Sequence, residues 1–138
     1  MIVQGQTTSF KKELYEATHN FTTDTFKIAL YTANATLDQD TTTYTATGEI
    51  TGTGYTAGGK ILVSPVVNAS DGTAYISFNN ISWPTSSFTV RGALIYNSSK
   101  ANRSVAVLDF GSDKTTTSTF TITFPVNTAT SALIRSSN

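Results

Sequence analysis

Phe88–Gly111 reads FTVRGALIYNSSKANRSVAVLDFG, two apolar runs joined by a short polar connector. In the first run Phe88, Val90, Leu94 and Tyr96 share one parity. In the second, Val105 and Val107 share a parity, while Ala106, Leu108 and Phe110 fill the other. A strand with one wetted face carries polar residues at every second position, so runs apolar on both parities belong inside a sheet. Asn97–Asn102 supplies the turn, because short polar side chains bond their own backbone and tolerate tight angles. The stretch predicts the central hairpin of an all-β domain.

Upstream of the hairpin, Thr73–Trp83 places Ile76 and Phe78 on one parity and Ile81 and Trp83 on the other. Asn79-Asn80 therefore marks a bulge or bend. Trp83, just before Pro84, reads as a core plug at a strand end. Asp71-Gly72 is a hairpin turn signal, and Ile61–Val67 is a strand that Pro65 confines to an edge or a bulge. Phe26–Tyr31 alternates clearly as a strand. Downstream, a turn over Ser112–Ser118 leads to a strand in which Phe120, Ile122 and Phe124 alternate with threonines, and Ala132–Arg135 makes a short final strand.

Nearer the N-terminus, Phe10, Leu14, Ala17 and Phe21 recur at near-helical spacing, predicting a helix from Ser9 to Thr18. Ser9 or Thr8 caps it, and Asn20 closes it in the left-handed conformation. Residues 1–8 lack periodicity and read as an extended arm. Ala33–Lys60 is long and poor in large apolar residues, with Tyr44, Ile50 and Tyr55 as isolated anchors. A stretch of that length is functional or hides a short strand, here Tyr44–Ile50. Together these elements predict a mainly β chain, an antiparallel β-sandwich or jelly roll with one short N-terminal helix, as a single domain over residues 1–138.

Composition narrows the function. The 138 residues carry no net charge, only 13% are charged, and none is cysteine. Disulfides and thiolate metal sites are thereby excluded. Lys and Arg are scattered singly apart from Lys11-Lys12, which argues against a nucleic-acid partner. No apolar run reaches the roughly 18–20 residues of a membrane-spanning helix, and the first residues lack the charged start and apolar core of a signal peptide. Roughly a fifth of the chain is threonine, which suits strands by its branched Cβ and exposed faces by its hydroxyl.

The residues that carry chemistry elsewhere read as structural here. Gly54–Lys60, GYTAGGK, satisfies the first seven positions of a phosphate-cradling loop, but Ile61 stands where a Ser or Thr must reach magnesium. A β-type run also follows it where a helix is required. The one histidine, His19, sits where a helix dipole favours it at a C-terminal end. Asp38, Asp40, Asp71 and Asp113 are turn residues, although acidic turns can hold calcium. Six N-x-[ST] triplets begin at Asn20, Asn34, Asn68, Asn80, Asn97 and Asn102, as expected by chance in a chain rich in Asn, Thr and Ser. The expectation is no catalytic residue, no cofactor and no metal.

Tyr15–Leu30, YEATHNFTTDTFKIAL, resembles the start of a family of small tailed-phage virion proteins: a short helix ending in His-Asn, then Asp-Thr-x-Lys and an apolar strand. Gly52–Gly59 (GTGYTAGG), Arg91–Asn97 (RGALIYN) and Val107–Gly111 (VLDFG) are similar to the same family, and the match runs from Phe10 to Pro125. The resemblance implies a non-enzymatic virion component assembled in the host cytoplasm, a capsid decoration or cement protein of sandwich or jelly-roll fold. Its implied partners are further copies of itself, as a homotrimer, and the major capsid protein. A tail-associated or host-surface, glycan-binding component is the alternative. Within either reading, Ile2 and Val3 of the arm and Tyr44, Ile50 and Tyr55 of the long loop are the candidate interface residues, since sparse apolar anchors in polar segments are a common form of hot spot.

Overall fold

The computed structural model describes residues 1–137. In chain order, β1 (Gly5–Gln6) and helix α1 (Thr8–Tyr15) precede β2 (Phe26–Tyr31), β3 (Lys60–Ile61), β4 (Val66–Ser70) and β5 (Thr73–Ser77). Then come β6 (Ile81–Trp83), β7 (Phe88–Asn97), β8 (Arg103–Thr116), β9 (Phe120–Ile122) and β10 (Ile134–Ser137). They form a five-stranded sheet β1-β8-β7-β2-β3, a three-stranded sheet β10-β5-β4 and a two-stranded sheet β6-β9. Every strand pair is antiparallel. The chain is mainly β with one short helix near its N-terminus, as the sequence predicts.

The β7–β8 hairpin is the spine, but two irregularities rearrange its faces. The register shifts between Ile95 and Tyr96, where Ser104 and Ala106 are successive partners and Val105 is extra. It shifts again between Val90 and Gly92, whose partners Lys114 and Asp109 are five residues apart. Phe88 and Val90 therefore join Ala93 and Ile95 in the main core, while Leu94 and Tyr96 point the other way. The expected single parity of Phe88, Val90, Leu94 and Tyr96 is broken by this bulge. The expected turn at Ser112–Ser118 is corrected as well: β8 continues through the bulge to Thr116, with Gly111 at φ 80 making the bend.

Both faces of the five-stranded sheet are apolar, so both must be covered. On one face Phe26, Ile28 and Leu30 of β2 pack with Ile76, Trp83, Ile122 and Ile134 from the smaller sheets, and with Phe10 of the helix. That contact makes the fold sandwich-like, with a second layer divided into two sheets. On the other face Ala29, Tyr31, Leu94, Tyr96 and Val107 are covered by Ile2, Ala35, Leu37 and Tyr44. The arm and the long loop supply this cover, so the arm expected from the sequence is tied to its own sheet. Met1 donates its terminal amine to the Ala35 carbonyl, the Val3 N–H donates to the Leu37 carbonyl, the Leu37 N–H donates to the Met1 carbonyl, and β1 pairs with β8. The expected strand at Tyr44–Ile50 is absent. Isolated bridges, Thr43 to Arg103 and Tyr31 to Glu49, and backbone bonds from the Tyr44 and Ile50 N–H groups to the Asn102 and Leu30 carbonyls tie that segment down.

The helix is Thr8–Tyr15, shorter than expected, and Thr7 is its cap, accepting from the Phe10 N–H. It ends with Ala17 at φ 57, where the Ala17 and Thr18 amides bond the Leu14 and Glu13 carbonyls. Ala17, not Asn20, is thus the left-handed closing residue. Leu14 is left 39% exposed, while Phe10 and Glu13 are buried. Farther on, Ile61–Val67 is two strands, broken at Ser64-Pro65 where Ser64 has φ 54. The bend expected at Asn79-Asn80 separates β5 from β6, and the chain changes sheets there.

Candidate functional site

His19 is the centre of a polar chain buried under the helix. Its side chain is wholly enclosed, and Nε2 lies 2.8 Å from Oε1 of Glu13. On the other side the Asn97 amide donates to Nδ1 at 3.1 Å and to Asp24 at 2.8 Å. The Asn97 carbonyl oxygen accepts from the Ser99 N–H, which fixes the amide's orientation. Nδ1 is therefore an acceptor, and the proton sits on Nε2 facing Glu13. Arg103 reaches Oε2 of Glu13 at 2.8 Å, and Lys100 lies 3.3 Å from Asp24. Burial acts to raise the Glu13 pKa, but hydrogen bonds from His19 and Arg103 and the Arg103 charge outweigh it, holding the carboxyl below its ordinary value. In Asp24 burial is likewise outweighed, by Asn97, the Asn20 backbone and Lys100. A catalytic histidine keeps Nε2 for a nucleophile; here Glu13 takes it. The arrangement clamps β7 and β8 to the helix exit. Its origin is this carboxylate, not the helix dipole expected from the sequence. Glu13, three residues after Phe10 on the same helical face, is the signal that sequence reasoning missed.

The glycine loop already holds an anion of its own. Glu49 accepts hydrogen bonds from Tyr44 Oη at 2.6 Å, from Tyr55 Oη, and from the Gly58 N–H at 2.8 Å. Tyr96 Oη donates to the Gly58 carbonyl, and Tyr55 Oη accepts from the Leu30 N–H. The amide that would face a phosphate is thus spent on a carboxylate from the same loop. Burial, and then the Glu49 carboxylate, push the Tyr44 phenol up to about 12. The same two causes raise Tyr55 and Tyr96. Lys60 at the loop's end lies over the Trp83 ring, 5.7 Å from its centroid. Trp83 is the expected core plug at 2% exposure.

These contacts locate the candidate interface residues. Ile2 and Ile50 are buried, and Tyr44 and Tyr55 are packed against the cores. Of the five, Val3 alone is substantially exposed. Within the chain, the sheet's second face takes Ile2 and Tyr44, the main core takes Ile50 and Tyr55, and the Glu49 carboxylate accepts from both phenols. Asp38 is also occupied locally, accepting from the Asp40 N–H. Among the described residues no group of three His, Cys, Asp or Glu side chains is placed to hold a metal.

The exposed apolar surface lies instead along Ile61–Ser70, an uncharged run. β3 is the outer strand of the five-stranded sheet and β4 of the three-stranded sheet. Ile61, Val63, Val66 and Val67 are each roughly half exposed. An open cleft of about 960 Å³ lies between the helix and the three-stranded sheet, lined by Leu14, Tyr15, Val67, Tyr75, Ile76 and Arg135. No protein-family model, no curated protein and no solved structure matches this chain.

Proposed function

We propose that this chain is a non-enzymatic structural component of a tailed-phage particle, a capsid decoration or cement protein that binds the assembled shell and stabilises it by mass action. The carrying observation is the Ile61–Ser70 double edge, a surface free of charge that exposes four aliphatic side chains and unpaired strand backbone. Natural sheets ordinarily blunt such edges with charge or cover, so an edge left open is an association surface. The particle itself comes from the sequence resemblance over Tyr15–Leu30, Gly52–Gly59, Arg91–Asn97 and Val107–Gly111. The partners are further copies of the chain and the major capsid protein.

The test is retention on purified particles. Ile61→Glu combined with Val67→Glu should leave the fold intact by circular dichroism and reduce occupancy about tenfold, the equivalent of ~1.4 kcal/mol. Full occupancy of the double variant would defeat the reading. The cleft favours a second reading, a tail-associated component that binds host-surface glycans: Tyr15 is 93% exposed beside it, and Tyr75 and Arg135 offer a second ring and donors. Saturable oligosaccharide binding that disappears in Tyr15→Ala would select that reading over the first.

A further inference from the structure

The geometry points to a second copy of this chain as the occupant of the β4 edge, paired antiparallel across a two-fold axis through Asn68. The inference rests on the reading of Ile61–Ser70 as an association surface and names its partner.

The β4–β5 hairpin settles which backbone groups are offered. Asp71 and Gly72 both have positive φ, 52 and 78, which makes the loop a type I′ turn. Ser70 and Thr73 flank it, and the register continues Asn68 to Tyr75 and Val66 to Ser77. In a two-residue hairpin the flanking residues form a hydrogen-bonded pair, and such pairs alternate with non-bonded ones. Ser70, Asn68 and Val66 therefore spend their backbone groups on β5. Val67 and Ala69 aim theirs outward, both residues are exposed, and no hydrogen bond in the described residues reaches those groups.

Two outward residues separated by one inward residue are complementary to themselves. Placing Asn68 opposite Asn68 of a second copy sets Val67 opposite Ala69, and each such pair exchanges both N–H···O bonds. Val66 then faces Ser70, and the ladder stops where Pro65, which has no N–H, meets the Asp71 turn. Nothing between Val66 and Ser70 is charged, and the chain has no net charge, so two copies meet without repulsion. The two Asn68 side chains lie across a non-hydrogen-bonded pair, where two amides can each donate and accept. The result is one six-stranded sheet, β10-β5-β4 continued by the same three strands in reverse.

A head-to-tail alternative, β4 of one copy on β10 of the next, is disfavoured. Gln6 Nε2 already donates to the Arg135 carbonyl on the far side of β10. The two-fold pairing closes after two copies, in place of the trimer that the resemblance implies.

Because the chain lacks cysteine, Asn68→Cys places one thiol at the axis and nowhere else. Cα atoms in a non-hydrogen-bonded pair are about 4.5 Å apart, within disulfide range. Mild oxidation of Asn68→Cys should give a covalent dimer far faster than Thr47→Cys, an exposed control in the long loop. Sedimentation of the unmodified chain should show a concentration-dependent dimer. Asn68→Lys and Asn68→Asp should each weaken it at least about tenfold when alone, through like charges across the axis, and restore it when mixed. A monomer at every concentration, or a dimer indifferent to both charge variants, overturns the pairing. If the chain is monomeric yet stays on particles, the pairing fails while the particle reading stands. Should Asn68→Lys then also lose the particle, the edge belongs to a different chain, which again overturns the pairing.

Discussion

Glu13 and Glu49 are both partly buried carboxylates that hold a poorly periodic segment to the five-stranded sheet, and they do it with opposite chemistry. Glu13 is met by a guanidinium and an imidazole, in a chain that ends on the Lys100–Asp24 pair. Glu49 is met by two phenols and one amide, all neutral donors. A charge met by charge is stabilised in its ionised form, so the first cluster fails when its carboxylates gain protons. Phenols that donate to a carboxylate are stabilised in their neutral form, so the second fails when they lose protons. The helix exit and the glycine loop are therefore locks that open at opposite ends of the pH scale.

The glycine loop is the more fragile of the two locks. Gly59 has φ +80, and a Cβ built on it would stand 1.8 Å from the Ile28 carbonyl oxygen. That oxygen belongs to the sheet backbone and cannot yield. Gly59→Ala is expected to cost about 4 kcal/mol or more, combining left-handed strain with a backbone clash. Hydrogen exchange should show the Tyr44–Lys60 amides opening while the Glu13–His19 region keeps its protection. Uniform loss of protection would mean the two locks are not independent.

The second test sharpens the pH contrast. The folded-state pKa values of Glu13 and Asp24 lie below their ordinary ones. Their contribution is present at neutral pH and is lost as pH falls through those depressed values, below the ordinary carboxylate range near 4. The Tyr44 and Tyr55 values are raised, so their contribution is complete below the ordinary phenol value near 10 and fades as pH rises above it. Glu13→Gln should cost about 2 kcal/mol at pH 7 and flatten the acid limb of a urea-midpoint profile, leaving the alkaline limb alone. Tyr55→Phe should cost about 1 kcal/mol and shorten only the alkaline limb. Either variant moving both limbs would refute the separation.

What the sequence disclosed follows the same division. Alternation in Phe26–Tyr31 and the apolar parities of Phe88–Gly111 predict the inner strands, because period-two burial leaves a direct mark on composition. Asp71-Gly72 predicts its turn, because two positive φ angles admit few residue types. The cover of the second sheet face leaves no such mark. Leu37 and Tyr44 are single apolar residues in polar segments and Ile2 lies in a three-residue apolar start, and the same pattern describes an anchor for a partner. The parities of β7 did carry the needed hint, since a sheet apolar on both sides must be covered on both. The bulge opposite Arg91 was hidden for another reason: an odd number of added residues reverses every later side chain without changing composition. Glu13 and Glu49 leave no direct mark in the sequence, because a charged residue among polar neighbours shows its burial only when its donors, Arg103 and Tyr55 among them, arrive from elsewhere in the chain.

The smallest expected effect tests whether the helix exit can be strengthened without touching the loop. Ala17 closes the helix at φ 57, a conformation that crowds Cβ against the following carbonyl and that glycine adopts without strain. The Ala17 and Thr18 amides bond the Leu14 and Glu13 carbonyls, so this turn aims the chain toward His19 and keeps Glu13 in place. Ala17 is itself exposed, and removing its methyl gives up little packing. Ala17→Gly should therefore stabilise the fold by about 0.5–1 kcal/mol, the strain relieved less the entropy that glycine adds to the unfolded chain. The urea midpoint should rise, with slower exchange at Thr18 and His19 and none of that gain at Gly58 or Gly59. A fall in the midpoint would mean that the Ala17 methyl stabilises the cleft beside Tyr15 more than its backbone strain costs. In that case the helix exit is held by packing as well as by the Glu13 carboxylate, and the contrast with the glycine loop narrows.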